Sequence, residues 1–117
     1  MQPSYPETEF PMKLDFISMV KNRISMTVED LKSNIDEFTQ LNNEKKREIL
    51  GELVYPLVFN NCQNRREDAA PKITGMLIDF DVFNEVEIIE MIENREILLE
   101  RLAEAIEMIA QEEQEEQ

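Results

Sequence analysis

Apolar residues recur along this chain at steps of three and four, the spacing that gathers side chains on one face of a helix. From Met12, the positions Met12, Phe16, Met19, Val20 and Ile24 form one such stripe. Thr27 followed by Asp30 has the spacing of a capping box, and Val28, Leu31, Ile35 and Phe38 then run as one face of a second helix. Asn42 and Asn43 break or cap the pattern. Glu44 opens a third helix carrying Ile49, Leu50, Leu53, Val54, Leu57 and Val58, with Pro56 inside it predicting a kink or a local loosening. Residues 60–71 are polar, end in Pro71 and read as a loop. A short helix is predicted over 72–78 and a second break over 81–84. Two further stripes follow: Val86, Ile88, Ile89 and Ile92, then, after Asn94, Leu98, Leu102, Ala105, Ile106 and Ile109. Residues 111–117 hold four Glu and no apolar side chain, so they are expected to fray into solvent. Residues 1–11, punctuated by Pro3, Pro6 and Pro11, read as a flexible arm. With two Gly in the chain and no alternating pattern joined by hairpin turn chemistry, the fold class is all-α.

Composition narrows the chemistry. A hydrophobic share of 42% supports a real core in a single domain of this length. Twelve basic against 26 acidic residues give a net charge of −14, which opposes both the phosphate backbone of nucleic acids and anionic membrane surfaces. The chain has no His and one Cys, Cys62, which excludes a His-based triad, a His-containing zinc site and a disulfide within the chain. A lone thiol fits a reducing compartment. The longest apolar run, Leu53 to Phe59, is interrupted by Pro56 and falls far short of the ~20 residues of a spanning helix. No signal segment opens the chain. The expectation is a soluble, cytoplasmic protein with no metal or other cofactor.

Two charged clusters need a reading. Glu85, Glu87, Glu90, Glu93, Glu96 and Glu100 present paired acids, but a di-iron site needs Glu-x-x-His motifs that this chain lacks, and the run reads as a solvated face rather than a catalytic one. Lys45, Lys46 and Arg47 open a helix, an unfavourable end for cations, and read as surface or as steering for an acidic peptide.

Two segments are more specific than a generic bundle: Leu50-Gly51-Glu52-Leu53-Val54-Tyr55-Pro56, and Lys72-Ile73-Thr74-Gly75-Met76-Leu77-Ile78-Asp79. Together they resemble the hallmarks of the MLLE domain, the C-terminal peptide-binding domain of cytoplasmic poly(A)-binding proteins, also found in a HECT-type ubiquitin ligase. The resemblance covers roughly residues 36–111. It implies a small right-handed superhelical bundle of about five helices; the N-terminal 35 residues have no counterpart in it, so the apolar spacing adds one or two extra N-terminal helices over 12–35, and the Glu-rich end adds an acidic tail over 112–117. It also implies a non-catalytic adaptor, linked to mRNA translation or turnover or to protein recruitment, whose partners carry a linear Leu…Phe-x-Pro motif. By resemblance, Glu48, Gly51, Glu52, Tyr55, Lys72, Thr74 and Ile78 line the pocket for the Phe, and Met76, Leu77, Ala105 and Met108 the pocket for the Leu. Glu48, Ile78-Asp79 and Glu112 stand where the family commonly has Gln, Leu-Glu and His, which shifts the expected ligand toward a basic or less acidic peptide.

The residues support a physical reading of their own. Gly in mid-helix costs about 1 kcal/mol relative to Ala, so Gly51 needs a reason. Either it lets two helices pack closely, or the missing Cβ leaves room for a ligand ring that also rests on Tyr55, one turn further along. Lys72, Thr74 and Glu52 then supply polar partners at the rim. Leu77 is expected to be partly core, and Met76, unbranched and adaptable, mostly binding surface. The N-terminal helices either cover the domain's own apolar surface or offer Phe16, Met19, Val20 and Ile24 to a partner. On that second view the chain is a structural subunit forming homo- or hetero-oligomers through residues 12–35. Glu9-Phe10-Pro11 is faintly like the end of the family's ligand motif and raises a tethered self-ligand.

Overall fold

The computed structural model describes residues 15–62 and 67–115. The flexible arm, Met12 and the Glu9-Phe10-Pro11 segment lie outside the described residues, as does the end of the acidic tail. The described residues hold seven α-helices and no strand, and the chain divides into two compact units between Gln40 and Leu41.

The first unit contains α1 (Phe16–Lys21), α2 (Val28–Ser33) and α3 (Ile35–Gln40). Asp15 caps α1 by accepting the Ser18 N–H at 2.8 Å, a bond that holds its carboxyl below the usual range. The first apolar stripe does not continue as helix to Ile24. Arg23 takes a φ of 55°, its N–H donates to the Val20 carbonyl, and the Ile24 N–H reaches back to Met19 at 3.0 Å. That pair of bonds is the Schellman ending of a helix, here with Arg where Gly would be unstrained. The capping box at Thr27 and Asp30 forms in both directions. The expected single helix over Val28–Phe38 is instead two. Asn34 separates α2 from α3: its side-chain amide donates to the Asp30 carbonyl at 2.8 Å, and its backbone leaves helical geometry. Phe16 and Phe38 are both buried and meet edge to face, with centroids 6.4 Å apart. Phe16 is therefore core, which removes it from the alternative that offered it with Met19, Val20 and Ile24 to a partner.

The second unit contains α4 (Asn43–Asn61), α5 (Ala70–Leu77), α6 (Glu85–Glu93) and α7 (Arg95–Glu115). Asn42 caps α4 through the Lys45 N–H, so Asn43 belongs to the helix. α4 runs unbroken through Pro56. It also extends into the segment read as a loop, of which residues 63–66 lie outside the described residues. A short 3-10 turn, Glu67–Ala69, leads directly into α5, whose second residue is Pro71, a place where the missing N–H costs nothing. Asn84 and Glu87 form a reciprocal capping box at the start of α6. α7 continues past the last apolar position, Ile109, to Glu115, correcting the expectation that the chain frays from Gln111.

α5 packs against both α4 and α7, and α6 packs against α7. The core takes Leu50, Val54 and Val58 from α4, Ile73 and Leu77 from α5, Ile88 and Ile89 from α6, and Leu98, Leu102, Ala105 and Ile109 from α7, all within the predicted helices; it also takes Met91, which the predicted α6 stripe did not include, whereas Val86, which that stripe did include, is exposed. Cys62 is buried at the C-cap of α4. One charge joins this core. Lys46 is 6% exposed, and its ammonium meets the Glu85 carboxylate at 2.6 Å and lies 5.1 Å from the Phe80 ring centroid. The pair links the first turn of α4 to the first residue of α6. Lys46 is thus a buried structural cation, not the surface residue expected of the Lys45–Arg47 cluster, and its bond lowers the Glu85 carboxyl below the ordinary 4.5. No helix among the described residues is long and apolar enough to cross a membrane.

Candidate functional site

The exposed face of α4 carries the first set of candidate residues. Glu48, Gly51, Glu52, Tyr55 and Phe59, at steps of three, one, three and four, share one side of the helix. Glu48 pairs with Lys45 at 2.9 Å, and Glu52 is exposed. Tyr55 is 41% exposed and stacks on Phe59, with ring centroids 6.1 Å apart and planes inclined by 29°. Phe59 escaped the sequence reading, although its spacing of four from Tyr55 was the available signal. Pro56 offers no N–H, so the Glu52 carbonyl loses its usual partner four residues on.

Gly51 lies within this face. A Cβ built there would meet only the Ile78 Cδ1, at 3.8 Å, an ordinary van der Waals distance. At Gly75, in α5, a Cβ would meet nothing within 4 Å. Close helix packing therefore requires neither glycine, which removes one of the two explanations for Gly51. Both helices have bare backbone on their surfaces without any internal need for it.

α5 contributes differently from what its motif suggests. Thr74 is 6% exposed, and its hydroxyl donates to the Ala70 carbonyl at 2.8 Å, one turn back. Its expected place among the rim's hydrogen-bonding groups is corrected: a threonine in this register satisfies itself within the helix. Ile78 is buried, with its side chain reaching toward Gly51. Lys72 is exposed, and its ammonium pairs with Glu112 of α7 at 2.7 Å.

The second set converges. Met76, Leu77, Ala105 and Met108 line one open groove between the end of α5 and the face of α7, with a volume of about 210 Å³. Leu77 and Ala105 are buried and form its floor, Met76 is half-buried, and Met108 is 53% exposed. Asp79, a motif position already noted for shifting the expected ligand, completes the wall together with Val82, Phe83, Arg101 and Glu104, which had not been anticipated. Val82 and Phe83 are apolar residues in an otherwise polar break, and Arg101 precedes Ala105 by one turn; these were the signals. The Arg101 guanidinium lies 4.2 Å from the Phe83 ring centroid and donates to the Glu87 carbonyl at 3.2 Å, so it props the loop against α7. Among the described residues no group of acidic or cysteine side chains is arranged to hold a metal ion.

Fold and groove together define a small all-helical module that presents an open apolar surface between α5 and α7. The family follows from comparison with known proteins: the MLLE domain model matches residues 37–109, and the chain belongs to that family of peptide-binding protein-interaction modules, which are not enzymes. The chain is similar to polyadenylate-binding protein 2 of Arabidopsis thaliana, with 33% identity over 88 residues, 75% of this chain. It is also similar to the polyadenylate-binding protein, cytoplasmic and nuclear, of Eremothecium gossypii, with 38% identity over 66 residues, 56% of this chain. It spans only 12% and 10% of the length of those two relatives. No solved structure matches the chain.

Proposed function

We propose that the chain captures partner proteins by a linear Leu…Phe-x-Pro motif held at two places on the second unit. The Phe ring rests over Gly51 and against Tyr55 on α4, near the Ile78 side chain. The Leu enters the groove of Met76, Leu77, Ala105 and Met108. Lys72 and Glu52 contact the peptide between or beside these anchors, and the Glu52 carbonyl, without its helical donor, accepts a peptide N–H. The observation that carries this reading is Gly51. A mid-helix glycine costs about 1 kcal/mol, nothing within the fold needs it, and an exposed aromatic stands one turn away. A bare strip beside an exposed ring suits a ligand's aromatic group.

Each anchor yields about 1.5–3 kcal/mol on burial, offset by the cost of ordering a disordered peptide, so the affinity falls in the micromolar range. The cell role is recruitment linked to mRNA translation or turnover, in the cytoplasm; the names of the poly(A)-binding relatives support it. The test is calorimetry with a Leu…Phe-x-Pro peptide on the full chain and on Tyr55→Ala. Saturable binding that falls at least about tenfold with Tyr55→Ala, at unchanged helicity, supports the assignment. Equal binding by both proteins sinks the α4 site.

A further inference from the structure

The groove between α5 and α7 is apolar at its floor and acidic at its rim. Two carboxylates, Asp79 and Glu104, line it together with one cation, Arg101. The cation is already engaged, with its guanidinium over Phe83 and bonded to the Glu87 carbonyl. Glu104 is exposed and makes no ion pair or hydrogen bond among the described residues, and Asp79 uses one oxygen to accept the Asp81 N–H at 2.9 Å. Both carboxylates thus keep free lone pairs at the edge of an apolar cavity, on a chain with a net charge of −14.

We infer that this groove selects a peptide segment in which the apolar anchor is directly neighboured by lysine or arginine. The anchor side chain sits among Met76, Val82, Ala105 and Met108, with Val82, 63% exposed, as the outer lip supplied by the loop. The neighbouring cation meets Asp79 and Glu104. Its stem lies along the methionine side chains, as long basic side chains do on apolar surface. An acidic residue in the same place meets like charge and is rejected, so the rim sets which partners bind more than how tightly they bind.

This inference rests on the peptide-binding reading, and the experiment separates the two. Fluorescein-labelled Leu…Phe-x-Pro peptides carrying Lys, Gln or Glu immediately before the Leu, and a second trio varied immediately after it, are titrated into the full chain by anisotropy. At one of the two positions, Lys is expected to bind about threefold tighter than Gln and Glu about threefold weaker, the range of partly exposed ion pairs. The spread should shrink as salt rises. In the double variant Asp79→Asn, Glu104→Gln the Lys, Gln and Glu peptides should bind with one common affinity, whatever its level, so that the ratio between them and not the basal binding is what is read; the introduced amide retains an oxygen for the Asp81 N–H. Equal binding of all three peptides at both positions overturns the inference and leaves the peptide-binding reading intact. So does a Lys preference that persists in the double variant. Failure of every peptide to bind a folded sample overturns both.

Discussion

Replacing Gly51 with alanine separates folding from binding more cleanly than any larger change. Within α4, alanine recovers most of the roughly 1 kcal/mol that a mid-helix glycine forfeits. The structure gives no offsetting clash, because the new methyl group would meet only the tip of Ile78 at 3.8 Å. Gly51→Ala should therefore stabilise the chain by about 0.5–1 kcal/mol, raising Tm by roughly 3–6 °C for a domain of this size. The same methyl group stands where the ligand's ring is proposed to rest, so affinity for a Leu…Phe-x-Pro peptide should fall about tenfold, equivalent to about 1.4 kcal/mol. Circular dichroism melting and calorimetry on the same preparation read the two quantities. A variant that melts lower than the parent shows that the fold needs this glycine, which removes the argument for a ligand at this site. A variant that melts higher and binds equally well shows that the strip is bare but unused.

The groove invites a paired comparison: Leu77→Ala, at a buried floor position, should cost about 2–5 kcal/mol in denaturant titration. Met108→Ala, half exposed, should change stability by less than about 0.5 kcal/mol yet weaken peptide binding measurably by anisotropy. Because the Lys46 bond lowers the Glu85 carboxyl, the pair's contribution is fully present above the ordinary glutamate value of 4.5 and is lost as pH falls through the lowered folded value. Lys46→Met should flatten that acid limb in melts followed by circular dichroism. Glu112→Gln releases Lys72 from one partner and should tighten binding of a peptide with an acidic residue beside its Phe about twofold, read by calorimetry at low salt.

Much of the second unit was legible because its buried residues are spaced as helical faces and its caps are local. Leu50, Val54 and Val58, or Leu98, Leu102, Ala105 and Ile109, fix which side of a helix turns inward before any partner is known. The division at Asn34 was not legible: Val28, Leu31, Ile35 and Phe38 make the same stripe in one helix or two, and only the side chain of Asn34, bonding back to Asp30, ends the first. The extent of α7 was missed for a related reason. Its last turns carry Glu and Gln, good helix formers that need no apolar face to continue an existing helix.

At the candidate site, motif spacing placed Met76 and Leu77 at the end of α5, where they line the groove, but it could not show that Thr74 is buried with its hydroxyl on the Ala70 carbonyl of the same helix. Whether Gly51 served packing or an open surface could not be read along the chain, because the answer depends on Ile78, which the fold brings close from a different segment. The Val82–Phe83 loop and Arg101 come together only through the packing of α6 on α7. Their shared wall was hidden for that reason, although each carried a local signal.

The central claim, that the bare strip on α4 and the groove between α5 and α7 bind one peptide together, is tested most directly by amide chemical-shift mapping. A Leu…Phe-x-Pro peptide titrated into the isotopically labelled full chain should give saturable shifts at Gly51 and Tyr55 and, at the same peptide concentration, at Met76, Ala105 and Met108. Shifts confined to other surfaces, or a well-dispersed spectrum that the peptide leaves unchanged, would contradict it.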